Sequence, residues 1–256
     1  MLEAGLPAPG SRGTGPTSMG VSSAPRPRAK AGVADRLAAS LRTAIVRGRL
    51  RPGDPLPSER ELADQYEVNR SSVREAMHRL EAWGLVKIRH GGATRVSDFL
   101  LSAGLDLLPF LVEVDGPVDA TVLRELHEIR AMLLGWCAEQ AAEKADPASI
   151  ARLEGLARQL VASRGRPSLS QELDYDFFEA LVQITGNRPL LLFSNVVRAV
   201  YLRGRQRFLS LYAKEVFDPR HHERAVAAIR ARDAVAAGAA MRAHATTALA
   251  AAGDRR

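Results

Sequence analysis

The chain has 256 residues, of which 46% are hydrophobic and only 5% aromatic, and its formal net charge is +7. Aliphatic side chains with few aromatic ones favour helices over a β-sandwich, and the length allows roughly two domains. The single cysteine, Cys137, excludes an internal disulfide framework, and its apolar neighbours predict a buried thiol without a reactive role.

The positive charge is concentrated in the first part of the chain. Residues 1–98 hold 16 Lys and Arg against 10 Asp and Glu, whereas residues 99–256 hold 20 against 19. This division indicates a polyanion-binding part joined to a near-neutral part. The sequence contains neither a signal-peptide core nor a stretch of about 18 apolar residues, so we expect a cytoplasmic protein without a membrane partner.

Residues 1–31 are rich in Pro, Gly, Ser and Ala, and they are predicted to form a disordered tail. Met19 is an alternative start that would remove more than half of this tail. A helix is predicted over residues 33–48, where Gly48 is the expected stop. Its apolar residues recur at helical spacing: Leu37, Leu41, Ala44 and Ile45.

Two short helices separated by a turn are predicted next. Ser58 and Glu61 have the Ser-x-x-Glu spacing of a capping box, which satisfies two amide donors at a helix start. Asn69 is a favourable N-cap for the second helix. The second helix has one apolar stripe for packing, formed by Val73, Met77 and Leu80.

The amino end of the second helix carries polar side chains that lie off the apolar stripe. They are Arg70, Ser71, Ser72 and Arg74. Short donors and guanidinium groups at this place in a second helix are suited to contact base edges and phosphates. A β-hairpin is predicted directly afterwards, because residues 86–89 and 94–96 alternate apolar and polar side chains around Gly91-Gly92. Residues 32–98 are therefore predicted to form a winged helix-turn-helix domain that binds DNA.

From residue 99 to residue 256 the sequence predicts an all-α domain. Apolar residues recur at three- and four-residue spacing in six segments, separated by breaks rich in Pro, Gly or Asn. The predicted helical segments are 117–144, 147–164, 170–186, 188–213, 219–236 and 234–252. The fold class is therefore mainly α, with an N-terminal winged helix-turn-helix, a small β-wing and a C-terminal helical bundle.

Two motifs resemble the operator-binding domain of the GntR family of bacterial transcriptional regulators. They are LPSERELA at residues 56–63 and NRSSVREA at residues 69–76. The helical remainder resembles the FCD-type effector domain of the FadR subfamily, so the resemblance covers about residues 33–252. It implies a regulator that is not an enzyme and that binds a palindromic operator in double-stranded DNA as a homodimer. It also implies that a small acidic effector, an acyl-CoA or a carboxylate, changes the affinity for DNA.

The resemblance also implies which residues contact the operator. These are Arg60, Asn69, Arg70, Ser71, Ser72 and Arg74, with His90 and Gly91 at the tip of the wing. The residues themselves leave two alternatives open, since Arg60 is spaced to pair with Asp64 and Arg74 has acidic neighbours. The family usually has glycine where this chain has Glu67, so this turn must either tolerate a positive φ or avoid it.

In the helical domain the resemblance implies an effector site. Many FCD domains bind a divalent metal such as zinc through one aspartate and three histidines. Asp174, His222 and His244 match three of these ligands, and Phe178 stands in place of the fourth. Three ligands and a water suffice for zinc, whereas the fatty-acid regulators of the subfamily bind acyl-CoA without a metal. Together with Arg130, which matches an anion-binding arginine, the expected effector-binding residues are Arg130, Asp174, Phe178, His222 and His244.

Alternatives to this effector site remain open in the sequence. His222 and His244 are also compatible with ordinary helix positions, and Arg130 with a surface salt bridge near Glu128. A metal-dependent enzyme that uses Asp174, His222 and His244 is the alternative function. The absence of a spaced nucleophile and base favours a regulator.

Overall fold

The computed structural model describes residues 32–89, 92–112, 120–213 and 217–253. The predicted tail, residues 1–31, lies outside the described residues, as do His90 and Gly91. Within the described residues the secondary structure is mainly helical, with one two-stranded sheet. In the N-terminal part, the elements are α1 (Val33–Val46), α2 (Glu59–Gln65), α3 (Arg70–Ala82), β1 (Val86–Lys87), β2 (Arg95–Val96), α4 (Phe99–Ser102) and α5 (Leu108–Val112). In the C-terminal part, they are α6 (Ala120–Lys144), α7 (Pro147–Ala162), α8 (Pro167–Thr185), α9 (Arg188–Phe208), α10 (Arg220–Arg230) and α11 (Ala234–Gly253).

The predicted helix-turn-helix is confirmed, together with the capping groups that define it. The Ser58 hydroxyl accepts a hydrogen bond from the amide of Glu61, and the Ser58 amide donates to Glu61 Oε2 at 2.7 Å. At the start of α3, Asn69 Oδ1 accepts from the Ser72 amide at 2.8 Å. The apolar sides of α1 and α3 are buried against each other, as the spacing predicts; they carry Leu37, Leu41, Ile45, Val73, Met77 and Leu80.

The wing is an antiparallel pair in which Val86 faces Val96 and Lys87 faces Arg95. Both valines are buried and both basic residues are exposed, so the predicted alternation is confirmed. Each strand is two residues long, shorter than the predicted spans 86–89 and 94–96.

The hydrophobic core of the N-terminal part continues beyond the predicted boundary at residue 98. Leu107 is a buried member of this core, and Phe99 and Phe110 pack against it. Gly84, with φ +72°, permits a close approach here, because a Cβ at this position would lie 2.3 Å from the carbonyl oxygen of Ser102. The Ser102 hydroxyl in turn donates to the Gly84 carbonyl at 2.7 Å. The helices α4 and α5 are too short to show a periodicity, and the sequence did not predict them.

The C-terminal part is a bundle in which α6 packs along α11 and α8, while α10 packs against α7 and α11. Large apolar side chains such as Leu134, Phe177 and Ile229 are fully buried in its core. Cys137 is buried in this core, and burial raises the pKa of its thiol to about 12. The predicted burial of Cys137 is therefore confirmed, and a raised thiol pKa disfavours the reactive thiolate.

One predicted helix is wrong in extent. The segment 219–236 was expected to be continuous, but α10 ends at Arg230 and α11 begins at Ala234. Arg232 adopts a left-handed conformation with φ +60°. Its guanidinium donates to the carbonyls of Ala142 and Ala145 at 3.0 and 2.8 Å, which stabilises the break.

Candidate DNA-binding surface and effector cavity

The amino end of α3 is a polar surface whose side chains are held in place by the N-cap. Asn69 Oδ1 accepts from the Ser71 hydroxyl at 2.7 Å as well as from the Ser72 amide. Asn69 and Ser71 are therefore positioned by each other. Glu67, in the preceding turn, has φ +53°, so this position adopts the strained conformation that glycine would adopt freely.

The three candidate arginines of this surface differ in their partners. Arg70 is exposed and has no ion-pair partner among the residues that the structure describes. Arg74 Nε donates to Glu59 Oε2 on α2 at 2.7 Å, and Arg60 Nε lies 3.9 Å from Asp64. Exposed ion pairs contribute little to stability. Both pairs can therefore be exchanged for contacts with phosphates.

The described part of the wing presents further basic groups. Lys87 and Arg89 are exposed, whereas Arg95 Nη1 donates to the carbonyl of Gly53 at 2.7 Å. Arg95 is thereby held against the turn that precedes α2. The predicted contacts by His90 and Gly91 concern residues outside the described part of the chain.

In the C-terminal part, four separate segments converge on the buried carboxylate of Asp174. His222 Nε2 and His244 Nε2 each lie 2.8 Å from Asp174 Oδ1. The Tyr212 hydroxyl donates to Oδ2 at 2.7 Å, and Arg130 Nη2 also donates to Oδ2. His222 and His244 are 0% and 4% exposed, and Arg130 pairs with a buried acid rather than with Glu128. In the structure the two histidines are therefore buried rather than on an exposed turn, and Arg130 pairs inside the bundle rather than at its surface.

This network fixes the charges around Asp174. Burial alone would raise the pKa of the Asp174 carboxyl, but Arg130, His244 and His222 hold this pKa well below its usual range. Burial lowers the pKa of His244 to about 4, against the attraction of Asp174. At neutral pH the ion pair of Asp174 and Arg130 is consequently flanked by a neutral His244 imidazole, and burial together with Asp174 raises the pKa of the Tyr212 phenol.

The Asp174 network lies at the wall of a cavity of about 140 Å³. Most of this wall is apolar, and it includes the predicted residue Phe178 together with Leu108, Ile129, Phe193, Val200 and Phe208. The cavity also touches four polar residues that the sequence did not single out: His127, Gln171, Tyr201 and Tyr212. They come from α6, α8, α9 and the turn after α9, and no local pattern marks them. Only the face shared by Gln171, Asp174 and Phe178 on α8 was a usable signal.

The donor set fits a metal ion only in part. Ligand atoms of Asp174, His222 and His244 lie within 4.8 Å of one another. Both imidazoles, however, contact one carboxylate oxygen at hydrogen-bond distance, whereas ligand atoms around a tetrahedral zinc are separated by about 3.4 Å. Phe178 offers no ligand atom, and Arg130 Nη2 lies 3.3 Å from His244 Nε2. The guanidinium thus already neutralises the carboxylate at the place where an ion would bind.

A winged helix-turn-helix with exposed basic groups, joined to a helical bundle with an internal cavity, defines a DNA-binding transcriptional regulator with an effector domain. Residues 33–96 match the family described as bacterial regulatory proteins, gntR family, and residues 125–247 match the FCD domain. The chain belongs to the GntR family and carries an FCD domain, as regulators of the FadR type do.

Named relatives agree with this assignment. The chain is 37% identical over 176 residues to the HTH-type transcriptional regulator Mce2R of Mycobacterium tuberculosis, covering 69% of this chain and 73% of that protein. It is 32% identical to a fatty acid metabolism regulator protein of Proteus mirabilis, covering 67% of this chain and 71% of the relative.

Among solved structures, the fold is similar to that of Lar, which controls expression of the agr system in Listeria monocytogenes. The TM-score is 0.57 at 15% identity, with 88% of this chain and 98% of that chain covered. This similarity concerns the fold alone. In the described part of the chain, every helix is too short or too polar to cross a membrane.

Proposed function

We propose that this chain is a ligand-responsive repressor or activator that binds a palindromic DNA operator as a homodimer in the cytoplasm. The observation that carries the proposal is the capped amino end of α3, where Arg70 is exposed and Asn69 and Ser71 are held in place. A single short recognition helix makes few contacts, so a pair of protomers on two half-sites provides the specificity.

Within this surface, we assign the recognition of bases to Arg70 and contacts with the DNA backbone to the remaining residues. An exposed guanidinium at the start of α3 is suited to bidentate recognition of guanine. Arg60, Asn69, Ser71, Ser72 and Arg74 position the helix on phosphates, and His90 and Gly91 extend this contact from the wing. Arg89 adds a sequence-independent phosphate contact.

Fluorescence anisotropy with DNA from upstream of the protein's own gene tests the assignment. Arg70→Ala should abolish the preference for this DNA over a scrambled duplex, whereas Arg89→Ala should weaken binding to both duplexes about equally. In Arg89→Ala, the plot of log affinity for DNA against log salt concentration should also become shallower, by the amount that corresponds to about one lost phosphate contact. If Arg70→Ala kept the full preference, the assignment of α3 would be wrong.

The cavity beside Asp174 is the proposed effector site, formed by Arg130, Asp174, Phe178, His222 and His244. Its wall is mainly apolar, which suits an acyl chain, and Arg130 keeps N–H groups beyond the one that Asp174 accepts. A carboxylate can therefore bind to Arg130 while Asp174 remains paired. Acyl-CoAs and small carboxylates are the two effector classes to compare in a thermal-shift screen, since a ligand stabilises the state that it binds.

We propose that the Asp174 cluster works without a resident metal, because Arg130 supplies the positive charge and Phe178 replaces a ligand. Metal analysis of the purified protein tests this, and stoichiometric zinc would contradict it. The alternative, a metal-dependent enzyme using Asp174, His222 and His244, predicts chelator-sensitive activity and no sequence-specific DNA binding. The named relatives are transcriptional regulators, which favours a regulator over an enzyme.

For the homodimer, we place the partner copy against one face of α6. Ile129, Met132 and Trp136 recur at helical spacing on this face and are 44%, 62% and 37% exposed. Apolar residues grouped in this way on a surface mark an interaction site. Sedimentation should show a dimer that Met132→Lys dissociates, while Val235→Lys, at an exposed apolar position on α11, leaves it intact. If Val235→Lys dissociated the dimer and Met132→Lys did not, the interface would lie on α11 instead.

The helix α5 provides a physical link between the cavity and the DNA-binding part. Leu108 lines the cavity, while two guanidinium groups lie over the ring of Phe110. Arg42 of α1 is 3.6 Å and Arg203 of α9 is 4.4 Å from the ring centroid. Trp83, at the end of α3, has its ring 5.6 Å from that of Phe110. A ligand that moves Leu108 therefore also acts on the packing of α1 and α3.

A further inference from the structure

Two hydrogen-bonding atoms on the wall of the effector cavity are without a partner among the residues that the structure describes. One is Oε1 of Gln171, a fully buried residue of α8, and the other is the hydroxyl oxygen of Tyr201 on α9. Both side chains line the cavity. Buried polar atoms in native proteins almost always have a hydrogen-bond partner. We therefore expect a bound molecule to supply the hydrogen-bond partner of each atom.

The orientation of the Gln171 amide is fixed by its other contact. Its Nε2 donates to the carbonyl oxygen of Arg205 at 2.9 Å. Arg205 lies in the last turn of α9, where backbone carbonyls have no partner within the helix. Because a carbonyl only accepts, the amide nitrogen must face Arg205 and the oxygen is the atom left over. Gln171 thus presents an acceptor that an amide flip cannot exchange for a donor.

The Tyr201 hydroxyl is held close to the same stretch of wall. Its ring stacks on Tyr175 with a centroid distance of 4.6 Å and an interplanar angle of 18°. On α8, Gln171 and Tyr175 are one helical turn apart, and on α9 the same holds for their partners, Arg205 and Tyr201. The Gln171–Arg205 contact and the Tyr175–Tyr201 contact therefore lie one turn from each other along the pair α8 and α9. Burial raises the pKa of the Tyr201 phenol, which stays protonated and able to donate at neutral pH.

We infer that the cavity recognises a neutral hydroxyl or amide group attached to the apolar part of its ligand. The group donates its hydrogen to Gln171 Oε1 and accepts a hydrogen bond from the Tyr201 hydroxyl. A hydroxyl or an amide supplies both functions, whereas a carboxylate or a ketone supplies only acceptors. This inference rests on the proposed effector role of the cavity. It adds a specificity that Arg130 does not provide.

The test uses the full chain and, in calorimetric titration, three probes that each carry a pentyl group on a carbonyl carbon: hexanamide, hexanoate and methyl pentyl ketone. Methyl pentyl ketone has the shape of hexanamide but a methyl group in place of the amide nitrogen. One neutral hydrogen bond should make hexanamide bind roughly fivefold more tightly than the ketone. Gln171→Met should abolish this difference. Tyr201→Phe should weaken both neutral probes by a similar factor, because both accept from the hydroxyl.

The Tyr201 variant keeps the test decisive even if Gln171→Met fails to fold. It removes only a hydroxyl that has no partner in the described part of the chain, so the thermal midpoint of the ligand-free protein should stay unchanged or rise. Tyr66→Phe, in the DNA-binding part, is the matched control and should leave both affinities unchanged. Equal binding of hexanamide and ketone by the parent protein, or unchanged affinities in Tyr201→Phe, would overturn the inference. The effector role would survive that result if hexanoate still bound, and it would fail together with the inference if no probe, acyl-CoA or carboxylate bound.

Discussion

The two parts of the molecule place their polar groups in opposite environments. In the DNA-binding part, Arg60 and Arg70 are exposed and contact solvent, whereas in the helical part the polar groups around Asp174 are buried. Exposed polar groups cost little to replace, while a buried charge left without its partner costs several kcal/mol. Replacing a charged side chain by alanine should therefore change DNA binding when the residue lies in the DNA-binding part, and stability when it lies beside Asp174 in the helical part.

The largest expected effect is at the buried carboxylate. Asp174→Ala leaves the Arg130 guanidinium without its partner and removes an acceptor used by Tyr212, His222 and His244. We expect the free energy of unfolding to fall by about 3–5 kcal/mol, measured by chemical denaturation. Asp64→Ala, which removes an exposed carboxylate near Arg60, is the control and should change it by no more than about 0.5 kcal/mol. Equal effects of the two variants would show that burial does not distinguish these sites.

The next effect concerns the link between the two parts. Phe110→Leu keeps an apolar side chain but removes the aromatic faces that contact Arg42 and Arg203. Two cation–π contacts of about 0.5–1 kcal/mol each should be lost, so stability should fall by about 1–2 kcal/mol. More importantly, an effector found in the thermal-shift screen should still bind but should no longer change the affinity for DNA. Unchanged coupling would show that α5 does not transmit the response.

A smaller effect is expected at the start of α2. Ser58→Ala removes the hydroxyl that accepts from the Glu61 amide. Loss of an N-cap of this kind typically costs about 1 kcal/mol. Thermal unfolding of Ser58→Ala against Ser58→Thr, which retains a hydroxyl, measures the contribution. If alanine and threonine were equally stable, the capping box would not contribute to the fold.

The smallest effect on stability should accompany the largest effect on DNA recognition. Arg70 has no ion-pair partner in the described part of the chain, so Arg70→Ala should change the free energy of unfolding by less than about 0.5 kcal/mol. Circular dichroism and denaturation check that the variant is folded before its loss of sequence preference is measured. A strong destabilisation would mean that the arginine has a structural role.

The contrast between the two parts also explains how far the sequence could be interpreted. Ser58, Glu61 and Asn69 act on residues two or three positions away, so their spacing was sufficient to predict both helix starts. The Asp174 contacts join residues 44 and 48 positions apart, and only the family resemblance indicated Arg130 and His222.

Neither route indicated Tyr212, Gln171 or Tyr201, although Gln171 shares one face of α8 with Asp174 and Phe178. Their roles depend on where α8, α9 and the turn after α9 meet, which is set by packing across the bundle. The break at Arg232 escaped prediction for the same reason, since its guanidinium is held by carbonyls of the distant helix α6. Long-range packing therefore limited the prediction of the cavity, whereas local capping sufficed for the DNA-binding surface.

Nuclease footprinting on the DNA upstream of the protein's own gene tests the central claim most directly. Two twofold-related segments should be protected in adjacent major grooves, with their centres about 10 base pairs or a multiple of this apart. Arg70→Ala should lose both segments together while remaining folded. A duplex with no protected bases at any protein concentration, or with a single isolated segment, would contradict the account.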